Sequence, residues 1–391
     1  MADAEYQKVK ELLDLCRDGK LYEIEAWIKA GKSIQMPPAL QNSPLRIAIE
    51  RGFYSLVEFL LRNGADPNAN GNALRFAIRH RKFGVVDLLL RNGARIHSVS
   101  FYTVCTSGDT ELIRLFIERG ADIVTGAPIA RALFERDKAM LGIVKEYLPK
   151  RPEIQAQVDM AFRSCCNEGR MRGVCLLLWL GANPRAKGHD LKCKRDCGLE
   201  RSGLEEAIAG GHVEIIKKIG IDPKTDDLGN LMFEAAFSRN LDVVQLLMKE
   251  GADLNSPLYG NQTFMEHSIW SLEGNVCSSF GASMTANSAL AEIGGAAELG
   301  AKWKPRDSHG FRPLRSILYR ASGHDIVEFV KKMKQHDAIS EADLAKLLDT
   351  PKFRQQTDYY TSRLSKLVPG FKKWVKRLPK ELNTSSDGRK I

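Results

Sequence analysis

Between Asn42 and Asn68 the apolar positions fall into two short blocks, each with the spacing of a helix. In the first, Leu45, Ala48 and Ile49 sit at i, i+3 and i+4 and make one buried face. Ser43 can accept from free backbone N–H groups at a helix start, and Pro44 suits the first helical position, where its missing N–H does no harm. Gly52 closes that helix. The second block carries Leu56, Val57, Leu60 and Leu61, a doubled stripe that must be covered on two sides, and Gly64 supplies a left-handed cap after it. Two helices of about three turns enclose no core of their own, so they must stack on copies of themselves.

The copies are present. The closing glycine recurs at Gly31, Gly64, Gly93 and Gly120, at intervals of 33, 29 and 27 residues, and again at Gly181, Gly251 and Gly300. Units with a weaker cap fill the gaps, near Leu148 and near Gly220, and a last unit begins at Arg312, giving about ten helix pairs in all. The pattern resembles the ankyrin repeat. The likeness rests on Pro44, Leu45 and Ala48; on Leu74 and Ala77; on Gly211, His212, Val213 and Glu214; on Pro313 and Leu314; and on the "GAD" or "GAN" endings at Gly64, Gly120, Gly181 and Gly251. It covers most of residues 5–338. The resemblance implies an all-α ankyrin-repeat solenoid, an array over residues 1–338 that binds other proteins and does no catalysis. The motif histidine is replaced by Arg46, Arg75, Arg163 and Arg315, and by Tyr102, so the usual polar tie between neighbouring repeats is not assured.

Two stretches exceed the period. One, "NPRAKGHDLKCKRDCGLER" from Asn183, takes the finger position after a second helix. The other, "SLEGNVCSSFGASMTA" from Ser271, reads as a loop between the two helices of a later repeat, the eighth as counted from the sequence. Beyond Ile339 a capping box, Ser340 to Asp343, opens a basic helical cap over 339–380, and residues 381–391 read as a disordered tail.

The formal charge is +10, and Arg363, Lys366, Lys372, Lys373, Lys376, Arg377 and Lys380 supply seven of those charges within an acid-free stretch from Tyr359 to Lys380. Basicity is therefore local. The opening "MADAEYQKVK" lacks the apolar region of a secretory signal, no apolar run is long enough to span a bilayer, and eight scattered cysteines are no disulfide framework. The expected compartment is the reducing cytosol.

Few residues point to chemistry. "AGKS" at Ala30–Ser33 has Ala26 where a phosphate loop needs glycine, and H-E-x-x-H, G-x-S-x-G and G-x-G-x-x-G are missing. His189, Cys193 and Cys197 have a spacing that zinc tolerates, yet no fourth ligand lies nearby. Cys165 and Cys166 align with Ala48 and Ile49, and Cys16 and Cys105 share the slot of Cys166, so the core reading of these four is preferred. Neither a metal nor a cofactor is expected.

Three basic clusters remain as candidate partner contacts. Arg79, His80, Arg81 and Lys82 sit where one helix turns into the next, with Glu50 and Arg51 on the neighbouring level. Arg185, Lys187, Lys192, Lys194 and Arg195 lie in the long finger. Lys372, Lys373, Trp374, Lys376 and Arg377 lie on a basic amphipathic helix whose Phe371, Trp374 and Leu378 fit equally a cap on the last repeat. The leading expectation is a protein–protein interaction scaffold with an acidic partner. The alternative is a nucleic-acid or anionic-ligand module using loop 185–195 and the C-terminal helix.

Overall fold

The computed structural model describes residues 2–36, 42–69, 73–135, 138–192, 200–238, 240–258, 262–277, 284–305, 310–349 and 363–364. Its helices follow one another as short-linked pairs. The first are α1 (Ala2–Arg17) with α2 (Leu21–Lys29), α3 (Pro44–Arg51) with α4 (Tyr54–Arg62), and α5 (Ala73–Arg79) with α6 (Phe83–Arg91). Next come α7 (Phe101–Cys105) with α8 (Thr110–Glu118), α9 (Pro128–Phe134) with α10 (Lys138–Tyr147), and α11 (Pro152–Asn167) with α12 (Met171–Trp179). Then follow α13 (Gly203–Ala209) with α14 (Val213–Ile219), and α15 (Leu228–Ser238) with α16 (Leu241–Lys249). The last are α17 (Phe264–Cys277) with α18 (Ala286–Glu298), and α19 (Arg312–Arg320) with α20 (Gly323–Gln335), before a single α21 (Glu341–Leu348). Among the described residues there is no strand, only a bridge between Gly188 and Arg201.

The backbone divides into two compact units. One comprises Met1–Cys165 with Arg170–Gly203, and the other Cys166–Gly169 with Leu204–Ile391. In the first unit α1, α3, α5, α7 and α9 touch in succession, and α4 lies against α6 as α8 does against α10. In the second, α15, α17, α19 and α21 touch in succession, and α18 lies against α20. Within each unit, therefore, these helices stack on the equivalent helix one level on, the arrangement of an ankyrin-repeat solenoid.

Local sequence accounts for the level built by α3 and α4. The Ser43 hydroxyl accepts from Arg46 N at the start of α3, Pro44 occupies the first turn, and Gly52 ends the helix at φ 77°. Leu45, Ala48 and Ile49 are buried with Leu56, Val57, Leu60 and Leu61 of α4, as the periodicity requires. Gly64 adopts φ 86°, where any Cβ would crowd the backbone. In the "GAD" endings the aspartate organises the turn that follows: Asp66 Oδ1 accepts from Asn68 N at 2.8 Å, and Asp253 Oδ1 from Asn255 N at 2.9 Å. The amide of Asn255 and the hydroxyl of Ser256 hold the Asp253 carboxyl below the usual carboxylate range.

Finger turns are tied by asparagine. Asn68 Nδ2 donates to Gly93 O at 2.9 Å and its Oδ1 accepts from Arg95 N at 2.8 Å. Asn255 repeats the tie in the second unit, donating to Gly300 O at 3.0 Å and accepting from Lys302 N at 2.7 Å. Within the intervening level the structure corrects one expectation. Ser271–Cys277 is helix, not loop, because α17 runs for 14 residues. Met265, Ile269, Leu272 and Val276 are buried at i, i+4, i+7 and i+11, so the helical stripe continues through the stretch. Helix count also makes this level the ninth pair rather than the eighth.

Ser340 caps α21 by accepting from Asp343 N, as the capping box implies. Most of the expected cap, and the expected tail over 381–391, lie outside the described residues.

Candidate interaction surface

The long finger is fixed from beneath by one face of α11. Asp159 Oδ1 accepts from Asn183 N at 2.8 Å, Ser164 Oγ accepts from Leu191 N at 2.9 Å, and Arg163 donates from Nε to His189 O at 3.0 Å and from Nη1 to Ala186 O at 3.1 Å. Arg163 is only 5% exposed, so its guanidinium works as an internal donor. It also passes so close to Gly188 that a Cβ there would sit 2.8 Å from its Nη2. Gly188 and Arg201 exchange backbone hydrogen bonds, both at 3.2 Å, which draws the two ends of the finger together. Arg185, Lys187 and Lys192 are exposed on this braced segment. Lys194 and Arg195 lie outside the described residues, as do Cys193 and Cys197.

The second cluster is found at the turn between α5 and α6. Arg51 and Arg79 are exposed, and the His80 ring lies 4.1 Å from that of Phe76. Arg81 adopts φ 58° and donates from Nη2 to Ser107 O at 2.9 Å, one level on. Lys82 reaches the other way and lies over Gly52, where an added Cβ would meet Nζ at 3.3 Å. Arg81 therefore links successive turns, and Lys82 lies against the preceding one. The third cluster, Lys372, Lys373, Trp374, Lys376 and Arg377, lies outside the described residues.

Polar ties between levels are made, but by other chemistry than the motif histidine. The Arg46 guanidinium stacks 4.6 Å from the Phe76 ring centroid, Tyr102 Oη donates to Glu135 at 2.8 Å, and Arg315 donates to Lys346 O. The Glu135 carboxylate beside it raises the Tyr102 hydroxyl above the ordinary tyrosine range.

Sequence reasoning passed over a set of buried polar side chains. Gln157, Asp159, Glu205 and Glu206 are all under a tenth exposed. Asn167 Nδ2 donates to Glu206 Oε2 at 2.7 Å, Asn230 Nδ2 to Glu205 Oε1 at 2.6 Å, and His212 Nε2 is 2.9 Å from Asn167 O. The adjacent acids in "GLEEAIAGGH", at positions where α3 carries Arg46 and Ile47, were the available signal. Cys16, Cys105, Cys165 and Cys166 are fully buried, and burial pushes the Cys16 thiol up to about 12. His189 Nε2 stands 3.9 Å from Glu200 Oε1, and no group of side chains arranged to hold a metal occurs among the described residues.

Stacked helix pairs, an internally braced finger and polar links from level to level define a helical repeat protein. Residues 5–100 match the family model described as ankyrin repeats (3 copies), so this part of the chain carries ankyrin repeats. Among solved structures it is similar to the ankyrin repeat domain of Bcl-3, described as a unique member of the IkappaB protein family, at 19% identity over 65% of this chain and 91% of that one, with a TM-score of 0.31. No curated protein gives a significant match. Among the described residues no helix is long and apolar enough to cross a membrane.

Proposed function

We propose that this chain is a protein–protein interaction scaffold, without catalysis of its own, that engages an acidic surface of a partner in a reducing compartment such as the cytosol. The observation that carries this reading is the long finger. Asp159, Arg163 and Ser164 hold its backbone from below while Arg185, Lys187 and Lys192 stay exposed above. A loop ordered before contact loses less conformational entropy on binding, which is the use a rigid repeat frame has for a charged finger. Arg51 and Arg79, exposed on the inter-helix side of the same unit, extend the positive surface. The basic C-terminal helix of the sequence reading is assigned as a second contact for the same class of partner.

The test is recovery of partners on tagged full-length protein, with and without R185E, K187E and K192E together. The wild-type chain is expected to retain a discrete protein whose capture weakens as salt rises, and the triple variant to lose it. Retention of every partner by the triple variant would count against the finger. Recovery of nucleic acid in place of protein would favour the alternative reading.

A further inference from the structure

A cleft of about 310 Å³ lies against the face of α19 left uncovered by its helical neighbours, lined by Arg312, Arg315, Ser316 and Tyr319. These residues stand at i, i+3, i+4 and i+7, while Pro313, Leu314, Ile317 and Leu318 on the opposite side are buried. Arg312 is exposed and forms no ion pair among the described residues. Arg315 donates one guanidinium N–H to Lys346 O at the end of α21, but its buried Nε finds no hydrogen-bond partner. A buried donor left unpaired is costly, and an anion entering beside it would remove that cost.

The charge is confined to one level. α19 carries Arg312, Arg315 and Arg320 and no acid, whereas the adjoining α17 carries Glu266 and Glu273 and neither lysine nor arginine. A polynucleotide needs a continuous positive track for successive phosphates, and the acids of α17 interrupt one. A single anionic side chain needs only the cleft. One large exposed aromatic residue lines the cleft and another stands on the adjoining α17. Tyr319 (69% exposed) directly follows buried Leu318, and Trp270 (56% exposed) directly follows buried Ile269, so both hold the same place on consecutive, touching helices. Aromatic and arginine side chains together are the usual strong contacts of protein interfaces.

We propose that the α19 cleft receives one oxyanion-bearing side chain, a carboxylate or a phosphate monoester, from an extended peptide segment of a partner protein, with Tyr319 and Trp270 as flanking aromatic contacts. This rests on the protein-binding reading above and adds a second, chemically specified contact remote in sequence from the finger. Arg312 makes the charge-assisted hydrogen bonds and Arg315 orients the group through Nε.

The full chain is titrated by fluorescence anisotropy with labelled degenerate peptide pools that differ only in a fixed central residue: glutamate, phosphoserine, phosphotyrosine or glutamine. A labelled single-stranded oligonucleotide is run alongside. An anionic pool is expected to bind roughly tenfold more tightly than the glutamine pool, and R312Q to abolish that difference, the effect of losing a hydrogen bond to a charged group. Which anionic pool binds identifies the source of the oxyanion. The Arg312 side chain makes no hydrogen bond or ion pair among the described residues, so R312Q is expected to keep the fold. R315Q is expected to lose the same preference and also to melt earlier, because Lys346 O keeps its bond from Asp349 N but loses the side-chain donor that joins α19 to α21. Equal binding of the glutamine pool, no binding by any pool, an unchanged preference in R312Q, or displacement by the oligonucleotide at lower concentration would each overturn the proposal. A partner captured through the finger and held equally by R312Q would overturn it while leaving the scaffold reading intact.

Discussion

The Gln157 side chain reaches back one level to the start of α9, where its Oε1 accepts from Ile129 N at 3.0 Å and from Ala130 N at 3.3 Å. Its Nε2 donates to Ile123 O at 2.6 Å. The residue at the N-cap of α9 is Ala127, which has no side-chain oxygen, so the cap comes from the following level. Gln157→Leu keeps the volume and strands two buried amides and a carbonyl. Urea denaturation is expected to show a loss of about 1–3 kcal/mol. A change of a few tenths of a kcal/mol would show that water replaces the cap.

Replacing Arg163 separates the finger from its base. Arg163→Met is expected to cost about 2–3 kcal/mol and, more tellingly, to raise the exchange rates of the Gly188 and Leu191 amides, both hydrogen-bonded in the braced loop. Hydrogen exchange read peptide by peptide would locate the effect. Unchanged protection of the loop would mean that Asp159 and Ser164 suffice to hold it.

Thiol reactivity should sort by burial. Cys175 is exposed, while Cys16, Cys105, Cys165 and Cys166 are enclosed. At mildly alkaline pH, where burial keeps the Cys16 thiol protonated with its titration at about 12, alkylation followed by peptide mass spectrometry is expected to label Cys175 before those four. The four enclosed thiols are expected to react only as the chain unfolds. Early labelling of Cys165 or Cys166 would show local opening of α11.

Burial lowers the pKa of His267 below the ordinary 6.5, and its ring lies 4.8 Å from that of Phe233. The unfolded chain therefore takes up this proton at a higher pH than the folded one. The associated stability is present above about 6.5 and is lost as pH falls from there through the depressed folded value. Denaturation midpoints at pH 7.5 and 5.5 should fall less steeply in His267→Leu than in the wild type. Equal slopes for the two proteins would remove His267 as a contributor.

What could be read from the chain alone was what is written locally. Ser43, Pro44, Gly52 and Gly64 act on backbone within a few residues of themselves, so their types name their roles. Gln157 acts on amides 28 residues away, and nothing in its own neighbourhood distinguishes it from a surface glutamine. Arg163 stood out as a departure from the motif, but the direction of its bonds, outward into the finger, depends on how the loop returns over α11. The Ser271–Cys277 stretch misled because Gly274, Asn275 and serines outweigh, by composition, a stripe whose last two members are Leu272 and Val276. The cleft on α19 required knowing which side of the helix its neighbours leave bare, and spacing alone does not give that.

Asn68 bridges two fingers across 25 residues of sequence, and Asn255 makes the same bridge across 45. One level can thus be lengthened substantially while the seam to its neighbours is sewn with the same stitch. Growth of this kind goes into both helices of the level, α17 and α18, so a lineage of such chains can try out new recognition surfaces at a single storey without rebuilding the ones above and below.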